Sequence, residues 1–416
     1  MAPAPKSTKQ RRDCLGIDIG GANLKFAHTS GWTCSRPFAM WRESGNLSAA
    51  IAYTLSDCPD FDSVAITMTG ELADCFETRA MGVALILEQV TRILPSPMVH
   101  VYCVDGVWRS PAQAARDPWL AAASNWHALG KWSSRWLRDH PSQLHHGVIV
   151  DVGSTTIDII PIDRNGVATR SRTDSQRMRR GELIYTGIER TNLAGLLRSV
   201  PLFGKRCPVM NEQFATTRDA YVWLKLLPES PDDTNTADGR PATVVGARFR
   251  LARMVGEDGS TLTDSDIDAI ANSVMATQRR LLGRAMQRVT SRQRKGQTPS
   301  VSSNPSSESS SPSSQSAPAN GSRRPRPTGA PSALPTAANG HPPLRPGSAK
   351  KEGDQGLVLL SGHGGFLMDG VFQGDQKEPF SLEKTIRLVE LLGADLSRSA
   401  PAYAVAVLAS ETKFPI

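Results

Sequence analysis

The sequence of 416 residues predicts an α/β fold built from two related halves, and three observations lead there. Apolar runs of strand length alternate with longer stretches of helical pattern. A strand, glycine turn, strand unit near the N-terminus, GIDIGGANLKFA at 16–27, recurs as IVDVGSTTIDII at 149–160. An apolar run ended by glycines, Gly356 to Gly362, resumes the core after a long polar insert.

In order along the chain, Leu15 to Asp18 and Leu24 to His28 read as two strands around a glycine turn. Leu47 to Leu55 reads as a helix, Val64 to Met68 as a buried strand, Thr78 to Ile93 as a helix and Val99 to Val104 as a strand. Ser124 to His140 reads as a helix whose Trp126, Trp132 and Trp136 belong to the core rather than to a stacking platform. Gly147 to Asp151 and Thr156 to Ile162 repeat the opening hairpin, and Arg279 to Arg294 is a helix with a charged outer face. After the insert, Leu382 to Leu392 has a helical pattern and Tyr403 to Ala409 is apolar. From about Gln297 to Ser348 the chain is Ser, Pro, Ala, Gly and Asn with almost no aliphatic residue, a composition expected to be disordered because it buries too little to offset its ordering entropy. The expected organisation is a basic tail at 1–13, a first lobe at 14–146, a second lobe at 147–290, an insert at 291–354, and a segment at 355–416 completing the second lobe.

The net charge of +8 would suggest a nucleic-acid or anionic-membrane partner if it were evenly spread. It is not. Between Ser291 and Lys351 nine basic residues face a single acid, Glu308, and Lys6, Lys9, Arg11 and Arg12 crowd the N-terminus. The rest of the chain carries about −4, the ordinary balance of an enzyme, so neither nucleic acid nor membrane is expected as a partner. No apolar stretch is long enough to span a bilayer, and no signal-type apolar region follows the basic N-terminus. The six cysteines lie far apart without Cys-x-x-Cys or zinc-finger spacing, which fits a reducing, cytoplasmic location.

In each copy of the repeated unit an apolar strand delivers an aspartate, Asp18 or Asp151, into a turn of glycine and small polar residues. Gly20, Gly21 and Gly153 let the backbone approach an anion, Asn23, Ser154, Thr155 and Thr156 add side-chain donors, and each Asp can hold Mg²⁺ or its water. Two such loops facing each other would clamp a diphosphate, so a small phosphorylated molecule is the expected substrate. A single loop of this kind suits an ordinary hairpin equally well, and the case rests on the duplication.

Glu71 and Asp74 follow a strand and a Thr-Gly turn, at the carboxyl end of the sheet where open α/β folds bind ligands. They are candidate bases or metal ligands, or else acids at a helix N-terminus. Arg240, in Asp238-Gly239-Arg240, is placed to grip a phosphate or to occupy a surface turn. Glu182, Thr186 and Arg190 share a face if their segment is helical, and His363 lies in a glycine-rich turn without an assigned role.

At this level the chain resembles the duplicated actin-like, sugar-kinase and Hsp70-type ATPase fold, with two lobes and a central cleft. More narrowly it is similar to the hydantoinase/oxoprolinase superfamily, and within it to the tetrahydromethanopterin-linked one-carbon transfer proteins. The resemblance is carried by GIDIGGANLK at 16–25, TMTGELADCF at 67–76, VDVGSTTIDIIPI at 150–162, RRGELIYTGIERTNL at 179–193, MNEQFATTRDAYVWL at 210–224, TADGRPAT at 236–243 and RLARMVGED at 250–258. The insert and Asn192, where relatives often carry Pro, depart from it. It implies a transferase of methanofuran-like cofactor biosynthesis, in which a tyramine-type phenol displaces diphosphate from a furanmethyl group. Physically the two loops suit that reaction, with N–H groups and Mg²⁺ as cofactor stabilising the leaving diphosphate and a carboxylate such as Glu71 or Asp74 expected to take the phenolic proton. The alternatives are an ATP-dependent hydantoinase or small-molecule kinase using ATP at the same loops, and a non-catalytic ATP-binding regulatory module.

Overall fold

Strands β1 (Cys14–Ile19), β2 (Asn23–His28), β3 (Thr33–Pro37), β4 (Ser63–Met68), β5 (Val99–Tyr102) and β6 (Trp108–Arg109) form a mixed sheet in the order β3-β2-β1-β4-β5-β6. β1, β4 and β5 are parallel, while β2, β3 and β6 are antiparallel to their neighbours. The computed structural model describes residues 12–139, 145–297, 356–371 and 385–414. All but Gln297 of the stretch expected to be disordered, and all but the last two residues of the basic tail, lie outside the described residues.

A second sheet repeats the design. Strands β7 (His146–Val152), β8 (Ile157–Asp163), β9 (Gly166–Val167) and β10 (Leu183–Ile184) precede a small hairpin of β11 (Ser199–Leu202) and β12 (Lys205–Pro208). After the insert come β13 (Leu357–Gly362) and β14 (Thr385–Arg387), giving the order β10-β8-β7-β13-β14 with β9 on β8. The correspondence between halves is strand for strand: β1 pairs antiparallel with β2 and parallel with β4, and β7 pairs antiparallel with β8 and parallel with β13. The fold is a duplicated, two-lobed α/β fold with a cleft between the lobes.

β1 and β4 are buried at every residue, because helices cover both faces and parallel strands so covered need no polar side. Leu47–Leu55 and Arg79–Thr91 lie on one face, contributing Leu47, Ile51, Val83 and Ile86 to the same cluster as Ile17, Ile19 and Ile66. The second lobe is backed by the helix Asp264–Gln297, whose Ile267, Ile270, Val274, Leu282, Met286 and Val289 recur at helical spacing against Val150 and Ile157. Arg280, Arg284 and Arg288 keep to its exposed face. This helix continues through 291–297, so those residues belong to the second lobe and not to the insert expected to begin at 291.

Two helices lie between the lobes. Asn125–Asp139 and Ala400–Ser410 join Ala128, Val405 and Ala409 to Cys14 and Ala65 of the first sheet, and Trp126, Leu129 and Ala400 to Ile149, Ile160 and Leu359 of the second. A side chain at Gly16 would run into the Ala402 carbonyl, so β1 and the last helix touch backbone to backbone. The expectation that 355–416 completes the second lobe is therefore corrected: β13 and β14 do join its sheet, but the final helix crosses back to β1 and β4. Of the helix expected over Leu382 to Leu392, 382–384 lie outside the described residues, Thr385–Arg387 is a strand paired with β13, and Leu388–Leu392 is helical. No helix among the described residues is long and apolar enough to cross a membrane.

Candidate active site

The two repeated turns have the same backbone geometry. Gly20 N donates to Asn23 O at 3.0 Å, and Gly153 N donates to Thr156 O at 3.0 Å. Neither glycine needs positive φ. At Gly20 the requirement is a close approach, since a Cβ there would stand 2.8 Å from Asn23 O, whereas at Gly153 a Cβ would make an ordinary contact. Among the described residues, the amides of Gly21, Ala22, Ser154 and Thr155 donate to no protein acceptor. Backbone N–H groups left unpaired in a tight turn form a concave donor surface for an anion.

Each turn is propped from behind by a Thr-Gly pair. Thr69 N donates to Ile19 O, and a side chain on Gly70 would press on Gly20 O at 3.0 Å. In the second lobe, Gly187 packs so closely on the Ser154–Thr155 peptide that no Cβ fits. Gly187 is itself held by Thr217 Oγ1 and Gln278 Nε2, both donating to its carbonyl at 2.9 and 2.8 Å. Ile188, Glu189 and Arg190 then donate their amides to Gly153 and Ser154 carbonyls. The segment 182–190 is thus not the helix that would align Glu182, Thr186 and Arg190; it is a short strand and a turn that fix the second loop.

Both turns open on one cavity of about 410 Å³ between the lobes, lined by Asp18, Gly20, Gly21, Asn23, Asp151, Gly153, Ser154, Thr155 and Thr156. Glu71 and Asp74 line it as well. Arg240 does not reach it. Its exposed backbone amide donates to Asp238 Oδ1 at 3.2 Å, and the Asp238 carboxylate pairs with Arg250 and Arg253 rather than orienting an arginine at a phosphate.

Asp18 is 4% exposed, with Oδ1 lacking a partner. Burial pushes its carboxyl up to about 6, against the opposing pull of Lys25 and Asn125. Glu71 sits in the first turn of the three-residue 3-10 helix Gly70–Leu72 after β4, and the next α-helix starts only at Arg79 with Thr78 as its cap. It is 1% exposed, and burial pushes its carboxyl up to about 7, against the opposing pull of a backbone hydrogen bond and of Arg79, whose Nε lies 3.8 Å away. Glu71 Oε2 is without a partner, and Gly82 allows the neighbouring helix to press on the Glu71 backbone. A carboxyl held near neutrality with a free oxygen is suited to taking a proton.

Several cleft residues carry no motif that marks them in the sequence. Lys25 and Asp158 stand directly across their hairpins from Asp18 and Asp151, a signal available only from antiparallel register. Asp158 is held at 2.7 Å by buried Arg177, whose guanidinium lies 4.0 Å from the centre of the Trp126 ring. Trp126 is core, as expected, but also lines the cleft. Arg79 bridges the lobes, donating to Asp174 at 2.9 Å. His363 pairs with Glu189 at 2.6 Å. Among the described residues no three or more His, Cys, Asp or Glu side chains gather to ligate an ion directly. Mg²⁺, however, keeps most of its waters and takes one or two carboxylates, and Asp18, with its unpartnered oxygen, together with Asp151 fits that demand.

Comparison with known proteins establishes the kinship of the chain. Residues 62–302 match the family described as Hydantoinase/oxoprolinase. The chain is 32% identical over 263 residues, 62% of its length and 76% of the relative's, to a (4-{4-[2-(gamma-L-glutamylamino)ethyl]phenoxymethyl}furan-2-yl)methanamine synthase of Methanocaldococcus jannaschii. It is 35% identical over 111 residues, 27% of its length and 50% of the relative's, to the Methanococcus vannielii protein of that name. Among solved structures, a nucleotide-free acetone carboxylase aligns with TM-score 0.43 at 9% identity, over 95% of this chain and 70% of that one. From the family match and the first relative together, the chain belongs to the hydantoinase/oxoprolinase family.

Proposed function

We propose that this protein is a transferase of methanofuran-like cofactor biosynthesis, joining a tyramine-type phenol to a furanmethyl diphosphate with release of diphosphate. The phenolic oxygen forms the new C–O bond to the furanmethyl carbon, the bond from that carbon to the diphosphate oxygen breaks, and its electron pair leaves with the diphosphate. Glu71 takes the phenolic proton on its unpartnered oxygen. The free amides of both turns bind the diphosphate, whose added negative charge strengthens its bonds to fixed donors as the C–O bond breaks. Mg²⁺ held by Asp18 and Asp151 would supply further neutralisation of that charge. Lys25, across the hairpin from Asp18, adds a positive charge among the carboxylates that line the cleft.

The observation that supports this reading best is the pairing of two anion-binding turns with the buried carboxyl of Glu71, one oxygen of which has no partner, in a single cleft. The kinship with the two methanamine synthases supplies the substrate class. The test is to incubate the protein with phenol and furanmethyl diphosphate without nucleotide and follow diphosphate release. Release of the ether and diphosphate is expected. ADP formation from ATP, with no reaction of the furan, would replace the transferase with the ATP-dependent hydrolase or kinase. Tight nucleotide binding with negligible turnover would point to a regulatory module.

A further inference from the structure

A second cavity of about 800 Å³ adjoins the first, the two sharing Ala22, Asn23, Trp41, Asp74, Ser154 and Arg190 in their linings. Its charged groups divide sharply into committed and free. Arg218 is paired with Asp233 at 2.6 Å, Glu189 with His363, and Asp219 with buried Arg250 at 2.7 Å. Arg190, Arg42, Asp74 and Glu43 make no ion pair among the described residues. Arg190 is not loose for lack of a carboxylate. Its guanidinium lies 4.5 Å from the centre of the Trp41 ring, and its backbone amide is anchored to Ser154 O at 3.0 Å. An arginine held over an aromatic face keeps N–H groups available for a carboxylate, and both partners sit at the junction of the two cavities.

We propose that this adjoining cavity is the subsite for an amino-acid head group carried by the phenol acceptor, with Arg190 on Trp41 taking the α-carboxylate and Asp74 and Glu43 taking the ammonium. Free cations and free carboxylates around one chamber match a zwitterion, whereas a second polyanion would meet the unpaired acids. The chamber opens next to the turns, so an acceptor seated there presents its phenol toward the cleft that holds Glu71. This assignment rests on the transferase reading for the identity of the acceptor. It also gives Asp74, which its place after the Thr-Gly turn made a candidate base, a binding role that leaves Glu71 as the base.

The test is calorimetric titration of the full chain, without donor, using γ-glutamyltyramine, its N-acetyl derivative, N-(4-aminobutanoyl)tyramine, which lacks only the carboxylate, and tyramine. Charge-assisted contacts of this kind correspond to roughly 10-fold or more in affinity. The parent protein is expected to bind γ-glutamyltyramine at least that much tighter than either analogue missing one charge. Arg190→Gln should erase the preference for the carboxylate, and Trp41→Leu should weaken it, with both variants keeping the parent's thermal unfolding and their affinity for tyramine. Equal binding of all four probes, or a carboxylate preference that survives Arg190→Gln, would overturn the assignment, as would displacement of γ-glutamyltyramine by ATP. Because no donor is present, a retained preference with no diphosphate release would refute the transferase and uphold the subsite. Diphosphate release without any preference would do the reverse.

Discussion

Replacing Glu71 with Gln separates the two consequences of burying a carboxyl at the base position. Its midpoint moves from 4.5 to about 7 because burial penalises the charged form. Between those values the native protein binds more protons than the unfolded chain, so this residue's contribution falls as pH rises through the window and stays low above it. The arithmetic is about 3 kcal/mol lost once Glu71 is ionised, at about 1.4 kcal/mol for each tenfold change in proton affinity. Gln keeps the shape without the charge, so Glu71→Gln is expected to match the parent near pH 4.5 and to exceed it by about 3 kcal/mol above pH 8, a rise of several degrees in Tm. Turnover should fall roughly 10²–10⁴-fold, the usual contribution of a positioned acid or base. The assay is denaturant unfolding of both proteins from pH 4.5 to 8.5, alongside diphosphate release. Asp18, pushed up to about 6, contributes in the same range, but it is common to both proteins and cancels in the difference. A variant less stable than its parent at pH 8, or a gap independent of pH, would show that Glu71 is ionised and well paired in the folded state, and the argument for it as the base would fail.

Other outcomes follow from the same geometry. Asp18→Asn should abolish turnover while raising stability above pH 6, where the buried carboxylate is otherwise charged; thermal unfolding at pH 5 and pH 8 checks the sign. Gly187→Ala forces a methyl into the Ser154–Thr155 peptide and should cost about 1–3 kcal/mol with loss of diphosphate binding. Gly21→Ala, with nothing within 4 Å of the new Cβ, should leave Tm unchanged, and equal melting of the two variants would refute the buttress. Arg177→Met strips the partner from Asp158 and should destabilise by about 3–5 kcal/mol, measured by denaturant unfolding.

The features that depend on a few adjacent residues are legible in the sequence. The repeated turns, Asp18 and Asp151 at their strand ends, and Glu71 and Asp74 after the Thr-Gly turn all follow from short apolar runs and from the glycine turns that end them. The helix Leu47–Leu55 has its observed bounds in the local pattern for the same reason.

The remainder needs partners distant in sequence. Nothing near Arg240 indicates that Asp238 will be taken by Arg250, and nothing in Leu382 to Leu392 reveals that Thr385–Arg387 has an open strand edge waiting at β13. Tyr403 to Ala409 announces by its composition that it is buried, but an almost uniformly apolar helix carries no face to say which lobe buries it. Gly16 and Ala402 settle that by meeting backbone to backbone. The perturbed carboxyls likewise arise only from tertiary packing, and the Arg190–Trp41 pair only when the lobes face each other. Burial and charge pairing are set by which surfaces exclude water together, and that is decided by the packing of the whole chain.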